Sequence, residues 1–368
     1  MKISNRMRVV GAMTPVAAVI AQPVRAQDSI PERESWPTDG WESTDPQSQG
    51  MPADLVVEID ARVAAETPLL SGLLVVRGGD LIVERYYNGF EANQTLAVWS
   101  VAKSVTTIGV GIAFREGLLT SLDQTIGELI PDRIPAGVDP RVESVTLEHL
   151  LTSTSGWEWD GRINFRRHNE SDDLDLMLSR PMVCDPGECF EYDNTNTNLL
   201  SYIIGVQSGL TMAEYLQPRL FDPLGIAQPE WLTTEYGVNR GAGGLDMTIS
   251  DMAKLGYLFL NGGAWDGQRI VDEEWVTAST TEHASGTSST SGVNIADAAY
   301  GYQWWIKELS GYSSFLGIGY GGQTVYVVPD LDLVVATGVV GTDVSEPENQ
   351  QPVSQIIEGL IVPAAIGD

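Results

Sequence analysis

The chain has 368 residues, 43% of them hydrophobic and 19% charged, which is enough apolar content for one sizeable core and too much for a disordered chain. It carries 50 Asp and Glu against 21 Lys and Arg, a formal net charge of −29. Such a surface repels phosphate backbones, which argues against nucleic acid as a partner.

The first segment reads as an address rather than as structure. Lys2, Arg6 and Arg8 give a positive start, Val9 to Ala21 is a short, mostly apolar run, and Val24-Arg25-Ala26 supplies small residues around a cleavage point after Ala26. The run is too short to span a bilayer. No Cys follows it to carry a lipid, and Arg6-Met7-Arg8 is not a twin arginine. Residues 1–26 are therefore expected to be a bacterial secretory signal, giving a periplasmic or secreted protein with no stable membrane anchor after cleavage. That segment holds four basic residues and no acidic one, so its removal leaves 17 basic and 50 acidic side chains, a formal charge of −33. A charge of that size suits solubility in a saline medium, where screening relieves the self-repulsion.

Residues 27–52 are polar and rich in Pro, Gly, Ser and acid, and read as a tether or surface wrap ahead of a domain over residues 53–368. Leu73 to Val76 and Leu81 to Tyr87 are β-rich runs separated by Arg77-Gly78-Gly79-Asp80, a hairpin signal. The helix after Trp99 has Val101, Val105, Ile108 and Ile112 at helical spacing, with Ala102, Gly109, Gly111 and Ala113 on its other faces. A helix apolar nearly all round belongs in the interior, so Lys103 opens a buried helix. Cys184 and Cys189 stand in Cys-Asp-Pro-Gly-Glu-Cys with too few ligands nearby for a metal site. In an exported protein the better reading is a local disulfide closing a Pro-Gly turn. His283 to Ala299 is a Ser/Thr/Gly-rich stretch that reads as a mobile surface connection. Thr324 to Val328 and Leu333 to Val340 flank Pro329-Asp330 as a second hairpin. Strands at both ends and mostly helix between them predict an α/β (α+β) architecture. An antiparallel sheet flanked by helices would be built from about residues 53–115 and 245–368, with a helical region inserted over about 116–244.

The chemistry starts at Ser100-Val101-Ala102-Lys103, the only Ser-x-x-Lys in the chain. Three residues on a helix is one turn, so hydroxyl and amine share a face. Serine is a poor nucleophile until a base takes its proton, and lysine is that base only where burial and positive dipoles disfavour its cation. Ser100 at the helix N-terminus also meets partial positive charge that favours an oxyanion. Tyr192-Asp193-Asn194 offers a phenol to relay a proton and, in Asn194, an amide to orient substrate or lysine. Tyr86-Tyr87-Asn88 has the same spelling but ends a strand, and is taken as structural. Gly319-Tyr320-Gly321-Gly322-Gln323 leads into the strand Thr324 to Val328; its glycines allow a substrate close to the backbone, and a backbone N–H from this strand would join that of Ser100 in an oxyanion hole.

Rival chemistries find no footing. There is no Gly-x-Ser-x-Gly and no glycine-rich phosphate loop. The three histidines, His149, His168 and His283, lack metal-ligand spacing, and His149 at a helix end reads as a packing or hydrogen-bonding residue. No metal and no cofactor is expected.

Taken together, the blocks resemble the β-lactamase-related serine hydrolases, which include class C β-lactamases, D-alanyl-D-alanine carboxypeptidases, family VIII esterases and 6-aminohexanoate-dimer hydrolases. The resemblance is carried by Glu84-Arg85-Tyr86-Tyr87, Trp99 to Ser104, Leu147 to Trp157, Phe190 to Asn194, Gly243 to Thr248, Gly301 to Trp305 and Tyr320 to Gln323, in the family's order. It implies a β-lactamase/transpeptidase-like fold and an acyl-enzyme on Ser100, with Lys103 and Tyr192 sharing the proton, Asn194 assisting and Gln323 lending its N–H. The third motif departs from the family's Lys-Thr-Gly or His-Thr-Gly, since Tyr320-Gly321-Gly322 has no cation to meet a substrate carboxylate. The expected substrate is a small-molecule ester or amide. A weak β-lactamase or D-alanyl-D-alanine peptidase is the second reading, and a silent scaffold of the same fold the third. The natural substrate and the oligomeric state are not legible.

Overall fold

A computed structural model describes residues 31–164, 174–288, 295, 297–341 and 353–367; the expected leader over 1–26 and His168 lie outside them. After a 3-10 turn at Pro46–Gln49 comes helix α1 (Leu55–Glu66), whose Leu55, Ile59 and Val63 form a buried stripe. Strands β1 (Gly72–Arg77) and β2 (Asp80–Tyr86) make the first hairpin, and the short β3 (Leu96–Ala97) leads into helix α2 (Val101–Arg115). A helical stretch follows, with α3 (Ile126–Leu129), α4 (Leu147–Leu151), α5 (Gly161–Asn164), α6 (Leu174–Leu178), α7 (Asn194–Ser208) and α8 (Met212–Leu216). The chain returns through β4 (Asp246–Met247), paired with β3, and α9 (Ile249–Leu260). The ribbon β5 (Ala264–Trp265) and β6 (Gln268–Arg269) precedes α10 (Glu273–Ser279). Strands β7 (Ala298–Tyr300), β8 (Trp305–Leu309), β9 (Tyr312–Gly319), β10 (Gln323–Val328) and β11 (Leu333–Gly338) come next, and α11 (Val353–Ile356) and α12 (Val362–Ile366) close the fold.

The main sheet is antiparallel throughout, in the order β2-β1-β11-β10-β9-β8-β7. Early and late strands therefore meet at β1 and β11, from Gly72 opposite Gly338 to Arg77 opposite Leu333. This is the sheet of two chain ends that the hairpins predicted. Its inner strands are buried on both faces. Leu74, Val76, Val325, Val327, Val334 and Ala336 pack into the core shared with α2, α7 and α9. The alternate residues Leu73, Val75, Tyr326, Val328, Leu333 and Val335 pack into a second core with α1 and the C-terminal helices. A strand of period two sandwiched between helices reads in sequence as a continuous apolar run, which is what made these strands visible.

Strands β7 to β9 were not announced by the sequence. The β7–β8 turn carries the non-glycine Gln303 in left-handed conformation (φ 62°) and lacks an obvious signature, whereas the β8–β9 turn is Ser310-Gly311 (φ 54° and 83°), a Ser-Gly signal that the sequence reading did not take up. The Ser/Thr/Gly-rich stretch is also less loose than expected over its described part. Ala284 bridges to Tyr300, and the buried Ser288 accepts a hydrogen bond from the Tyr192 N–H at 3.0 Å. Upstream of α1, residues 31–52 lie on the domain. Arg33 pairs with Asp332 at 2.6 Å, Trp36 packs on Tyr257 and Trp265, and Ser43 bridges to Leu81. Among the described residues no helix is long and apolar enough to cross a membrane.

Cys184 and Cys189 are joined as a disulfide with their Cα atoms 6.1 Å apart. The loop it closes is fastened to the segment after α4, because Gly187 N–H donates to Thr154 O at 2.7 Å and Val183 N–H to Gly156 O at 2.9 Å. Closing so short a loop stabilises the fold by about 2 kcal/mol through lost unfolded-state entropy. Thiol titration of the unreduced protein is expected to find no free thiol, and reduction to lower Cm in urea without changing the m-value.

Candidate active site

Ser100 is the N-cap of α2, placed there by a sharp entry from β3 in which Trp99 takes a left-handed φ of 50°. A bulky residue in that region is strained, and such strain is held where the surroundings over-determine it. Strand β9 supplies those surroundings. A Cβ added to Gly319 would lie 2.3 Å from the Val98 carbonyl and 3.1 Å from the Trp99 Cβ, and one on Gly317 would lie 3.0 Å from Ser104 Oγ. The two glycines thus let β9 pass against the start of α2. Beyond Leu316, which pairs with Trp305, β9 has no partner on its β8 side among the described residues, so residues 317–319 form an open edge beside the start of α2.

Lys103 is 2% exposed, and its Nζ donates to Ser100 Oγ at 3.2 Å, Asn194 Oδ1 at 2.5 Å and Ala242 O at 3.2 Å. Three acceptors match the three protons of an ammonium. Burial nevertheless pushes the amine down to about 7, helped by the Arg240 charge and opposed by Asp193. Ala242 is held in place by its own N–H donating to Asn198 Oδ1 at 2.9 Å, and Thr106 Oγ1 donates to Gly241 O at 2.9 Å.

Tyr192 lies over the Lys103 ammonium, 5.0 Å from Nζ to ring centroid, with its phenol on the Ser100 side. Burial pushes that phenol up to about 12, so it stays protonated at neutral pH. The ring is fixed by Trp305 at 5.3 Å and by Tyr300 edge-on at 5.9 Å. Its backbone is placed by Glu191 N–H, which donates to Ser153 O at 2.8 Å. Asn194 opens α7, and its N–H donates to Asn164 Oδ1 at 2.8 Å. Ser100, Lys103, Tyr192 and Asn194 are therefore one contact group.

The third motif sits differently. Tyr320, Gly321 and Gly322 form the turn between β9 and β10, with Tyr320 edge-on to Trp99 at 5.9 Å. Gln323 lies one strand in from the open edge, opposite Gly319. Its buried side chain donates to Ala97 O at 3.1 Å and Val339 O at 2.9 Å, tying the segment before Ser100 to the sheet. The strand running along the start of α2 is β9, so the informative glycines were Gly317 and Gly319, of which the sequence reading had taken up Gly319 alone.

Sequence reading also passed over Arg180 and Asn164, and took Gln303 only as part of a family block, with no role of its own. Gln303 accepts from Thr197 Oγ1 at 2.6 Å, donates to Leu150 O and Leu151 O at 3.0 and 2.8 Å, and its own carbonyl takes Ser104 Oγ at 2.9 Å. It thereby joins α2, α4 and α7 under the site. His149 sits in a capping box with Thr146, the hydrogen-bonding role read for it, and His283 stacks on Tyr302 at 4.4 Å.

A model of the Beta-lactamase family matches residues 61–350. Among curated proteins, the 6-aminohexanoate-dimer hydrolase of Paenarthrobacter ureafaciens is 26% identical over 308 residues, covering 77% of this chain and 78% of that one. The lovastatin esterase of Penicillium rubens is 26% identical over 198 residues, covering 47% of this chain and 48% of that one, so the match spans about half of its length. Among solved structures, the penicillin binding protein from Bacillus halodurans superposes with a TM-score of 0.63 at 21% identity, covering 82% of this chain and 98% of that one. EstCE1, a hydrolase with promiscuous acyltransferase activity, gives 0.67 at 14%, covering 88% and 99%. At these identities the two structures speak to the fold alone.

Proposed function

The chain belongs to the Beta-lactamase family, and on that premise we propose that it is an exported serine hydrolase cleaving a small ester or amide through an acyl-serine intermediate. The observation that carries this is the buried Lys103 amine, held 3.2 Å from Ser100 Oγ and lowered to about 7. In the mechanism, Ser100 Oγ attacks the carbonyl carbon while its proton passes to neutral Lys103 Nζ. The oxyanion forms at the N-terminus of α2, next to the open edge of β9, and we assign the second backbone donor to residues 317–319 rather than to Gln323. Tyr192, protonated and next to the Ser100–Lys103 pair, passes a proton to the leaving oxygen or nitrogen and is resupplied from Lys103. Water, deprotonated by the same pair, then releases the acid and frees Ser100.

Two further features support the finer reading. The Cys184–Cys189 disulfide suits an oxidising compartment, in keeping with an exported protein. Neither Gly317-Ile318-Gly319 on β9 nor the turn Tyr320-Gly321-Gly322 offers a cation, so neutral esters and amides fit better than β-lactams or D-alanyl-D-alanine peptides, whose carboxylate needs one. The curated relatives named above are an amide and an ester hydrolase by name. A panel of short aryl esters, oligoamides, a chromogenic cephalosporin and a D-Ala-D-Ala peptide tests this. Turnover confined to the last two would overturn the substrate class, and no turnover with no labelling of Ser100 would leave a silent scaffold. Tyr192→Phe is expected to lower kcat by about a hundredfold with little change in KM, as loss of a proton relay does.

A further inference from the structure

The turn that carries Tyr192 and Asn194 is held by a residue from elsewhere in the chain. Asp193, between them, is buried, and Arg180 Nη1 meets its Oδ2 at 2.7 Å with both side chains 3% exposed. Arg180 also donates to Glu158 O at 2.8 Å, Met177 O at 3.2 Å and Thr195 Oγ1 at 2.7 Å. The guanidinium thus joins the segments around α5 and α6 to the start of α7. Asp193 is satisfied on both oxygens, Oδ1 taking the Thr195 N–H at 2.8 Å as the cap of α7 and Oδ2 taking Asn164 Nδ2 at 3.0 Å. Asn164 reaches onward through its Oδ1 to the Asn194 N–H at 2.8 Å, and Asn194 holds Lys103.

Taking Ser100 as the nucleophile, we infer that Arg180 is a positioning residue for the acyl-transfer step, fixing the Tyr192–Asn194 turn and cancelling the Asp193 charge that faces Lys103. Arg180 touches neither Ser100 nor Lys103 and acts through Asp193. The charged and titratable groups facing Lys103 are Ser100 on its own helix, Tyr192 and Asp193 on the opposing turn, and Arg240 on the segment before β4. Asp193 favours the lysine cation and Arg240 disfavours it. With Arg180 in place the Asp193 charge is compensated and the amine is free to lose its proton. Without Arg180 a bare carboxylate faces the ammonium across the turn, Lys103 holds its proton to higher pH, and the serine loses its base.

The test is the rate at which a fluorophosphonate labels the intact protein, followed against pH. In that reaction Ser100 Oγ bonds to phosphorus, fluoride leaves and the serine proton goes to Lys103, so the rate follows the neutral amine. Wild type is expected to gain rate through about pH 7, where burial sets Lys103. Arg180→Met is expected to move that midpoint up by about one pH unit, a roughly tenfold loss below it. Asp193→Asn keeps the cap oxygen and is expected to move it down, since Arg180 then acts uncompensated. The double variant is expected to return to the wild-type midpoint, and Arg180→Lys to stay near it. Midpoints that do not move, or that move the same way in both single variants, would overturn the inference and leave Arg180 a packing residue. Should Arg180→Met fail to fold, Asp193→Asn alone decides, because an unmoved midpoint there contradicts the coupling. If wild type takes no label at any pH, the nucleophile assignment itself is wrong, which is a distinct outcome from an unmoved midpoint.

Discussion

Lys103→Ala is expected to lower turnover as far as Ser100→Ala does, by about ten-thousandfold or more, and the double variant to lose nothing further. Nucleophile and base form one device. Without Ser100 there is no oxygen to acylate, and without Lys103 the hydroxyl keeps its proton at neutral pH. Among the described residues the amine that reaches Ser100 Oγ is Lys103 Nζ, with the Tyr192 phenol on the same side. That phenol, pushed up to about 12, is a poor substitute base at neutral pH. Lys103→Arg is expected to be as inactive as the alanine variant, because a guanidinium does not give up its proton in this range. Steady-state kcat on an activated ester checks all four variants. A Lys103→Ala enzyme within tenfold of wild type would mean that another group takes the serine proton.

The second large effect is on pH. In the proposed mechanism Lys103 works as the neutral amine, and burial brings its titration down to about 7. Its ordinary value lies near 10.4, so in water almost none of it would be neutral at pH 7. Activity therefore rises with pH through this midpoint, and below it the neutral fraction falls tenfold per unit. From pH 7 to pH 4 kcat/KM is expected to drop by about a thousandfold, provided the protein stays folded. A profile of kcat/KM against pH, with circular dichroism recorded at each point, checks this. A flat profile down to pH 4 in folded protein would remove Lys103 from the proton path. The same burial bears on stability. The folded pKa lies below the unfolded one, so between about pH 7 and 10 the folded chain holds fewer protons and gains stability as pH rises.

Much of the fold was legible because burial writes a period into sequence. Helix α2 is apolar on every face, and the inner strands of the two hairpins are apolar runs of the right length between turn residues. Pairing of the chain's two ends followed from strands standing at both. The strands β7 to β9 escaped because Gln303 makes a turn without the usual residues, because the Ser310-Gly311 turn signal went unused, and because Gly317 and Gly319 interrupt the very strand that lies against the start of α2. In the candidate site, Ser100 and Lys103 were visible because their relation is local, one helical turn. Tyr192 and Asn194 are contributed from the far side of the helical region, and residue spacing alone could not place them against Lys103; the family resemblance did. The Arg180–Asp193 pair left no trace, since neither residue type nor a separation of 13 positions marks a contact. The oxyanion wall was placed at Gln323 from motif order, while the structure sets Gln323 one strand further in, where its amide braces the entry to α2.

The central claim is that Ser100 Oγ carries the acyl group. Acid quenching an ester turnover reaction and mapping the digested protein by mass spectrometry tests it most directly. The prediction is one acyl adduct on the peptide holding Ser100 in wild type, and none in Ser100→Ala. An adduct on another residue, or wild-type rates persisting in Ser100→Ala, would contradict the account.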